Sequence, residues 1–219
     1  AEAAATLTVT AFRLMALLAL PIGFGVAALS DPLIRILYGR RFLEAIPVLA
    51  VLAVFAAAKA LMLPAQHLLV AADRQAALLK VMAATAALNL VLDFALIPAR
   101  GAMGAAFANS ASQTAAAAAA WLAALHGFRT RFPRRSFLRL LMAAVSTGAV
   151  ALALVHRLPT LPGAVAAGAA GVLVYGLALR LSKALEPGDR DRLLQLERQL
   201  PPPLRIPYRR TISWLFPPA

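Results

Sequence analysis

The chain has 219 residues, of which 62% are apolar and only 14% charged, with a formal net charge of +13 and no cysteine. Soluble domains average about 45–50% apolar and about 25% charged, so an ordinary soluble enzyme is excluded, as are a disulfide frame, a thiolate nucleophile and a cysteine metal site. A nucleic-acid partner is also excluded, because the basic residues lie between and after apolar runs instead of gathering on one polar surface.

Six apolar windows follow in chain order, residues 9–29, 46–70, 78–98, 102–125, 140–156 and 161–179, and together they hold only four charges, Arg13, Lys59, Lys80 and Asp93. Each is close to the roughly 17 to 25 residues that cross about 30 Å of hydrocarbon as a helix. The first contains Pro21, Gly23 and Gly25, a combination that predicts a kink. Residues 30–45 are an outer loop. The second window carries Pro64 and runs through a short inner turn, 71–77, into the third, which predicts an antiparallel hairpin. Pro98 to Gly101 makes a second short turn between the third and fourth. The fourth is alanine-rich, with Ala108, Ser112, Ala116 and Ala120 at four-residue spacing, and Gly163, Ala167 and Gly171 repeat such a stripe in the sixth. Small residues at that spacing allow close helix approach. The fold class is therefore all-α, a polytopic membrane helix bundle with six spans over residues 1–182. A cytoplasmic basic tail follows over 183–219, with one amphipathic helix from Glu186 to Leu200, a stop at Pro201 to Pro203 and a loosely ordered remainder.

Ala1 to Thr10 has no basic leader followed by a short apolar core, so no signal peptide is read, and the missing initiating methionine suggests a fragment or processed product. Sixteen basic residues fall on the side of the chain ends and the even-numbered connections, and five on the other, with Lys59 inside a span. By the positive-inside rule both ends face the cytoplasm.

Lys59 lies near the middle of the second window, where an ionisable group needs a partner or a wet cavity. Antiparallel register places it level with residue 90, near Asn89 and, one turn on, Asp93. Three readings follow: a structural Lys59–Asp93 ion pair, a site where Lys59 attracts an anionic head group or Asp93 binds a coupling proton or cation, or a Lys59 that snorkels outward. Asn109 and Gln113 share one face of the fourth window, as interhelical hydrogen bonders or as part of a transport path. Arg13 reads as an interface anchor or a cationic docking point for a lipid phosphate. His67 reads as an interfacial side chain or a proton relay, and Arg35, Arg40 and Arg41 as solvated loop charges or contacts for phosphate or lipid head groups. The three histidines lie far apart and no window holds paired carboxylates, so neither a catalytic set nor a metal or cofactor site is suggested.

Residues 29–52, LSDPLIRILYGRRFLEAIPVLAVL, resemble a recurring segment of the polysaccharide flippases in the multidrug/oligosaccharidyl-lipid/polysaccharide (MOP) exporter superfamily, through Leu37, Tyr38, Gly39, Phe42 and Ala45. Residues 88–106, LNLVLDFALIPARGAMGAA, resemble its Asn-x-x-Leu and Ile-Pro-x-x-Gly-x-x-Gly-Ala-Ala stretch, through Asn89, Leu92, Ile97, Pro98, Gly101, Gly104, Ala105 and Ala106. The turn LLVAADRQ resembles the family's Ala-x-Gly-Arg turn, with Asp73 where glycine is common. The resemblance spans about residues 10–125. It implies part of a two-lobe transporter, at about helices nine to fourteen, with the last two spans matching the extra pair that forms a lipid-tail groove in related lipid flippases. The implied function is not enzymatic: translocation of undecaprenyl-pyrophosphate-linked oligosaccharide across the bacterial inner membrane by alternating access. The implied partners are membrane lipid, the lipid-linked oligosaccharide and polysaccharide polymerase or synthesis enzymes. A lipid-linked peptidoglycan precursor flippase, a multidrug exporter of the same superfamily and a non-transporting scaffold are the alternatives.

Overall fold

The structure, a computed structural model, describes residues 2–128, 132–158, 160–185, 187–197 and 201–216. Arg129 and Arg131 of the arginine-rich connection, and Glu186 and residues 198–200 of the expected tail helix, lie outside the described residues. The described chain is helical, with no strand among those residues. In order come α1 (Glu2–Ala28), α2 (Ser30–Leu37), a 3-10 turn (Arg40–Phe42), α3 (Ala45–Ala71), α4 (Gln75–Phe128), α5 (Arg134–Arg157), α6 (Leu161–Ser182), α7 (Pro187–Glu197) and α8 (Pro202–Leu215). Five of them, α1, α3, α4, α5 and α6, are long and apolar enough to cross a membrane. The protein is thus an all-α, membrane-embedded assembly of long apolar helices.

Helix α4 has 54 residues. At about 1.5 Å rise per residue a straight helix of that length would be about 80 Å long, far beyond the roughly 30 Å of a hydrocarbon core. It is not straight. Gly101 has φ 54 and ψ −135, outside helical space, in a region open essentially to glycine. The chain folds back there so tightly that a Cβ on Gly104 would strike the backbone of Leu96 and Ile97. The two glycines of the Pro-x-x-Gly-x-x-Gly stretch therefore have separate tasks, one making the turn and one admitting the crossing.

Packing runs pairwise, α6 on α5, α5 on α1, α1 on α3 and α3 on α4. Small residues allow these approaches: Gly23 of α1 faces the Ala53 carbonyl of α3, where a Cβ would lie 2.7 Å from the oxygen. Both predicted small-residue stripes, Ala108/Ser112/Ala116/Ala120 and Gly163/Ala167/Gly171, are buried. The helices run unbroken through Pro21 and Pro64. At the end of the bundle that holds the 71–77 turn, Phe12 packs edge-on against Trp121 and Phe132 with centroids 4.9 Å away in each case. The Trp121 indole donates to the Leu61 carbonyl at 2.8 Å, tying α4 to α3.

The inner turn places Asp73 at φ 55. A left-handed backbone costs an L residue roughly 1–2 kcal/mol, somewhat less for Asp, while glycine takes it freely. Asp73→Gly is therefore expected to raise stability by about 1 kcal/mol, read as a higher melting temperature of the detergent-solubilised protein; an unchanged or lower value would contradict it.

Two expectations need correction. The outer loop at 30–45 contains the helix α2, closed by an Asp31–Arg35 pair one turn apart. The end of the tail is not loosely ordered either: the prolines read as a stop begin a helix, since Pro202 and Pro203 occupy first-turn positions where the absent N–H costs nothing. Leu193 of α7 and Ile212 of α8 join the buried core.

A candidate polar cavity between α3 and the α4 hairpin

Three helical segments enclose a cavity of about 430 Å³. Helix α3 contributes Lys59 and Gln66, the first half of α4 contributes Thr85 and Asn89, and the second half contributes Asn109, Ser112 and Gln113. The lining follows from antiparallel register: residues 59 and 66 of α3 meet 89 and 82 across the inner turn, and 89 and 82 meet 109 and 116 across Gly101. Four of the residues expected to matter, Lys59, Asn89, Asn109 and Gln113, thus converge on one space.

Their hydrogen bonding separates structural from available groups. The Ser112 hydroxyl donates to the Ala108 carbonyl at 2.8 Å and Thr85 donates to Val81 at 2.9 Å, so both hydroxyls serve their own helix. The Asn89 amide donates to Asp93 Oδ2 at 2.6 Å. Among the described residues no ion pair joins Lys59 to Asp93, which corrects the structural pairing expected from sequence. Asn89 shares the cavity lining with Lys59, and Asp93, one turn beyond, is engaged by the Asn89 amide. The side chains of Lys59, Gln66, Asn109 and Gln113 make no hydrogen bond or ion pair among the described residues.

The cavity therefore offers one ammonium and several carboxamides, and no acidic group lines it. Its chemistry suits an anion or a polyhydroxylated group. Lys59 and Asn109 are exposed, and Asn89 and Gln113 are half-buried. Such groups within apolar helices are too costly to face hydrocarbon and instead face protein or water.

Arg13 is elsewhere. It lies buried in the first half of α1, its Nη2 2.7 Å from Asp189 Oδ2 and 3.4 Å from the Ala184 carbonyl. Neither an interface anchor nor a lipid docking point is consistent with side chains only 8% and 6% exposed. The inward turn is explained by Asp189, a carboxylate in the first turn of α7, which is also favoured there by the helix dipole. His126 and His156 engage carbonyls of their own helices through Nδ1, and His67 is exposed.

Sequence reasoning did not single out Gln66 or Asp189. Gln66 was accessible, since 59, 62, 63 and 66 follow the helical spacing of one face. Asp189 lies 176 residues from its partner, and no local pattern connects them.

No protein-family model, no curated protein and no solved structure matches the chain.

Proposed function

We propose that this chain is one helical bundle of a MOP-type flippase that moves an undecaprenyl-pyrophosphate-linked oligosaccharide across the bacterial inner membrane, and that the cavity around Lys59 forms part of its polar path. In this reading the two halves of α4 each cross the bilayer, giving six passes, and the basic ends of the chain face the cytoplasm. A second lobe covers the face on which Lys59 and Asn109 are exposed, and substrate passes between the two lobes as they alternate. The observation that carries the reading is the cavity itself: a lone ammonium with unengaged carboxamides, at mid-length in apolar helices, open on one face. The sequence resemblance at residues 29–52 and 88–106 supplies the substrate class.

A hydrogen bond to a charged group contributes about 1.5–3 kcal/mol, so Lys59→Ala in the complete transporter is expected to cut export about tenfold or more at unchanged protein abundance. Lys59→Arg is expected to retain most of it. The measurement is surface polysaccharide in cells and translocation of a fluorescent lipid-linked sugar by reconstituted protein. If Lys59→Ala and Asp93→Ala leave both abundance and export unchanged, the path does not run here. A reconstituted wild-type transporter that moves no lipid-linked sugar would mark a scaffold instead.

A further inference from the structure

A second and larger concavity, about 900 Å³, lies between α1, α6 and α8. That is within the roughly 300–1,000 Å³ of ligand pockets. It is not the space between α5 and α6, which pack directly on each other. Its walls are apolar, with Leu17 and Leu18 from α1, Leu173 and Leu179 from α6, and Ile212 and Leu215 from α8. The hydroxyls on its surface are all engaged: Tyr175 donates to the Leu17 carbonyl at 2.7 Å, Tyr208 to Leu193 at 2.9 Å and Thr211 to Pro207 at 2.9 Å. Nothing within the groove asks for water.

The rim differs. Arg210 lines the groove, and the Arg180 guanidinium stacks 5.2 Å from the centroid of the Trp214 ring, which also lines it. Neither arginine makes an ion pair among the described residues, whereas Glu197 is engaged by Arg209 at 3.3 Å. Arg180 is in the last turn of α6, where the apolar stretch ends, and an arginine stacked with tryptophan is the composition of a membrane–water boundary. The outer face of α6 is open, with Val172 and Leu173 more than two-thirds exposed. An apolar channel entering the bilayer, with two unneutralised guanidiniums at its mouth, has the two parts of one molecule class: an acyl chain and an anionic phosphate.

We propose that the groove between α1, α6 and α8 seats one acyl chain of an anionic phospholipid whose phosphate meets Arg180 and Arg210. The site is separate from the polar cavity, and it stands whether or not the chain transports anything.

The probe is phosphatidylglycerol with brominated acyl chains, compared with identically brominated phosphatidylcholine, each diluted into unbrominated phosphatidylcholine vesicles holding the protein. Bromine quenches tryptophan at contact. Trp214 reports the groove, and Trp214→Phe gives the background from buried Trp121. At about 1 kcal/mol per basic residue near anionic lipid, two arginines predict a preference for phosphatidylglycerol of about tenfold. Arg180→Gln with Arg210→Gln should abolish the preference, and Arg180→Lys with Arg210→Lys should keep it, which also shows that α8 remains docked. Equal quenching by the two lipids, or a preference that survives the glutamine pair, would overturn the assignment. So would efficient disulfide-linked dimerisation of Leu173→Cys, which would put a second copy of the chain in the groove.

Discussion

Asp189→Ala is expected to destabilise the protein by about 1.5–3 kcal/mol, because it removes a carboxylate hydrogen-bonded to the buried Arg13 guanidinium. Removing one partner of a buried pair is far more damaging than replacing both. The two chains Asp189→Ala and Arg13→Met/Asp189→Leu should therefore differ sharply, the single variant melting well below wild type and the double variant close to it. The change is local in the first instance. Helix α7 is joined to the bundle in part through this pair and the buried Leu193, so the single variant should make α7 more accessible to protease than in wild type while α1 to α6 stay resistant. A single variant as stable and as protease-resistant as wild type would show that the pair contributes nothing net.

Gly104→Ala is expected to be among the most damaging methyl additions in the chain. The new Cβ would meet the Leu96 carbonyl and the Ile97 nitrogen, and backbone atoms of a tight reversal have little room to move. Overpacking typically costs about 1–3 kcal/mol, and here relief requires the hairpin itself to open. Gly101→Ala should act in the same direction, through backbone conformation instead of contact, by about 1–3 kcal/mol. An internal control exists in Gly25, which lies within α1 with nothing within 4 Å of its Cβ position; alanine there should be neutral or stabilising by about 0.5–1 kcal/mol. Yield of monodisperse protein and melting temperature distinguish the three. If Gly104→Ala behaves like Gly25→Ala, the reversal at Pro98 to Gly101 is not folded as described. Because Asn89 and Asn109 line the cavity from opposite arms of that hairpin, opening it should also impair any function of the cavity.

The long helices were legible because apolar runs bounded by charge have one dominant physical cause, and 46–70 fell within one residue of α3 at each end. Antiparallel register was legible too: the short turn at 71–77 leaves little freedom, so the convergence of Lys59 with Asn89 followed from counting residues, while Asn109 and Gln113 share a face through helical spacing alone. That no ion pair joins Lys59 to Asp93 among the described residues was not legible. It depends on side-chain geometry, and the Asn89–Asp93 hydrogen bond within α4 was a competitor that counting could not weigh. The last helix was not legible for a different reason: α7 ends at Glu197, before the prolines, as a stop there requires, and the same prolines also begin α8. Arg13 was assigned to the membrane boundary from its position along α1, whereas burial was decided by a carboxylate from the far end of the sequence.

The Arg13–Asp189 pair also has a consequence for the order of assembly. Arg13 is made among the first residues of this segment and Asp189 among the last, 176 positions later. At synthesis rates of about 5–20 residues per second, the guanidinium waits roughly 10–35 s for its carboxylate. During that interval the Arg13–Asp189 contact cannot form. Closing the pair is then a late event, and the docked tail reports that the helices before it have been made and placed.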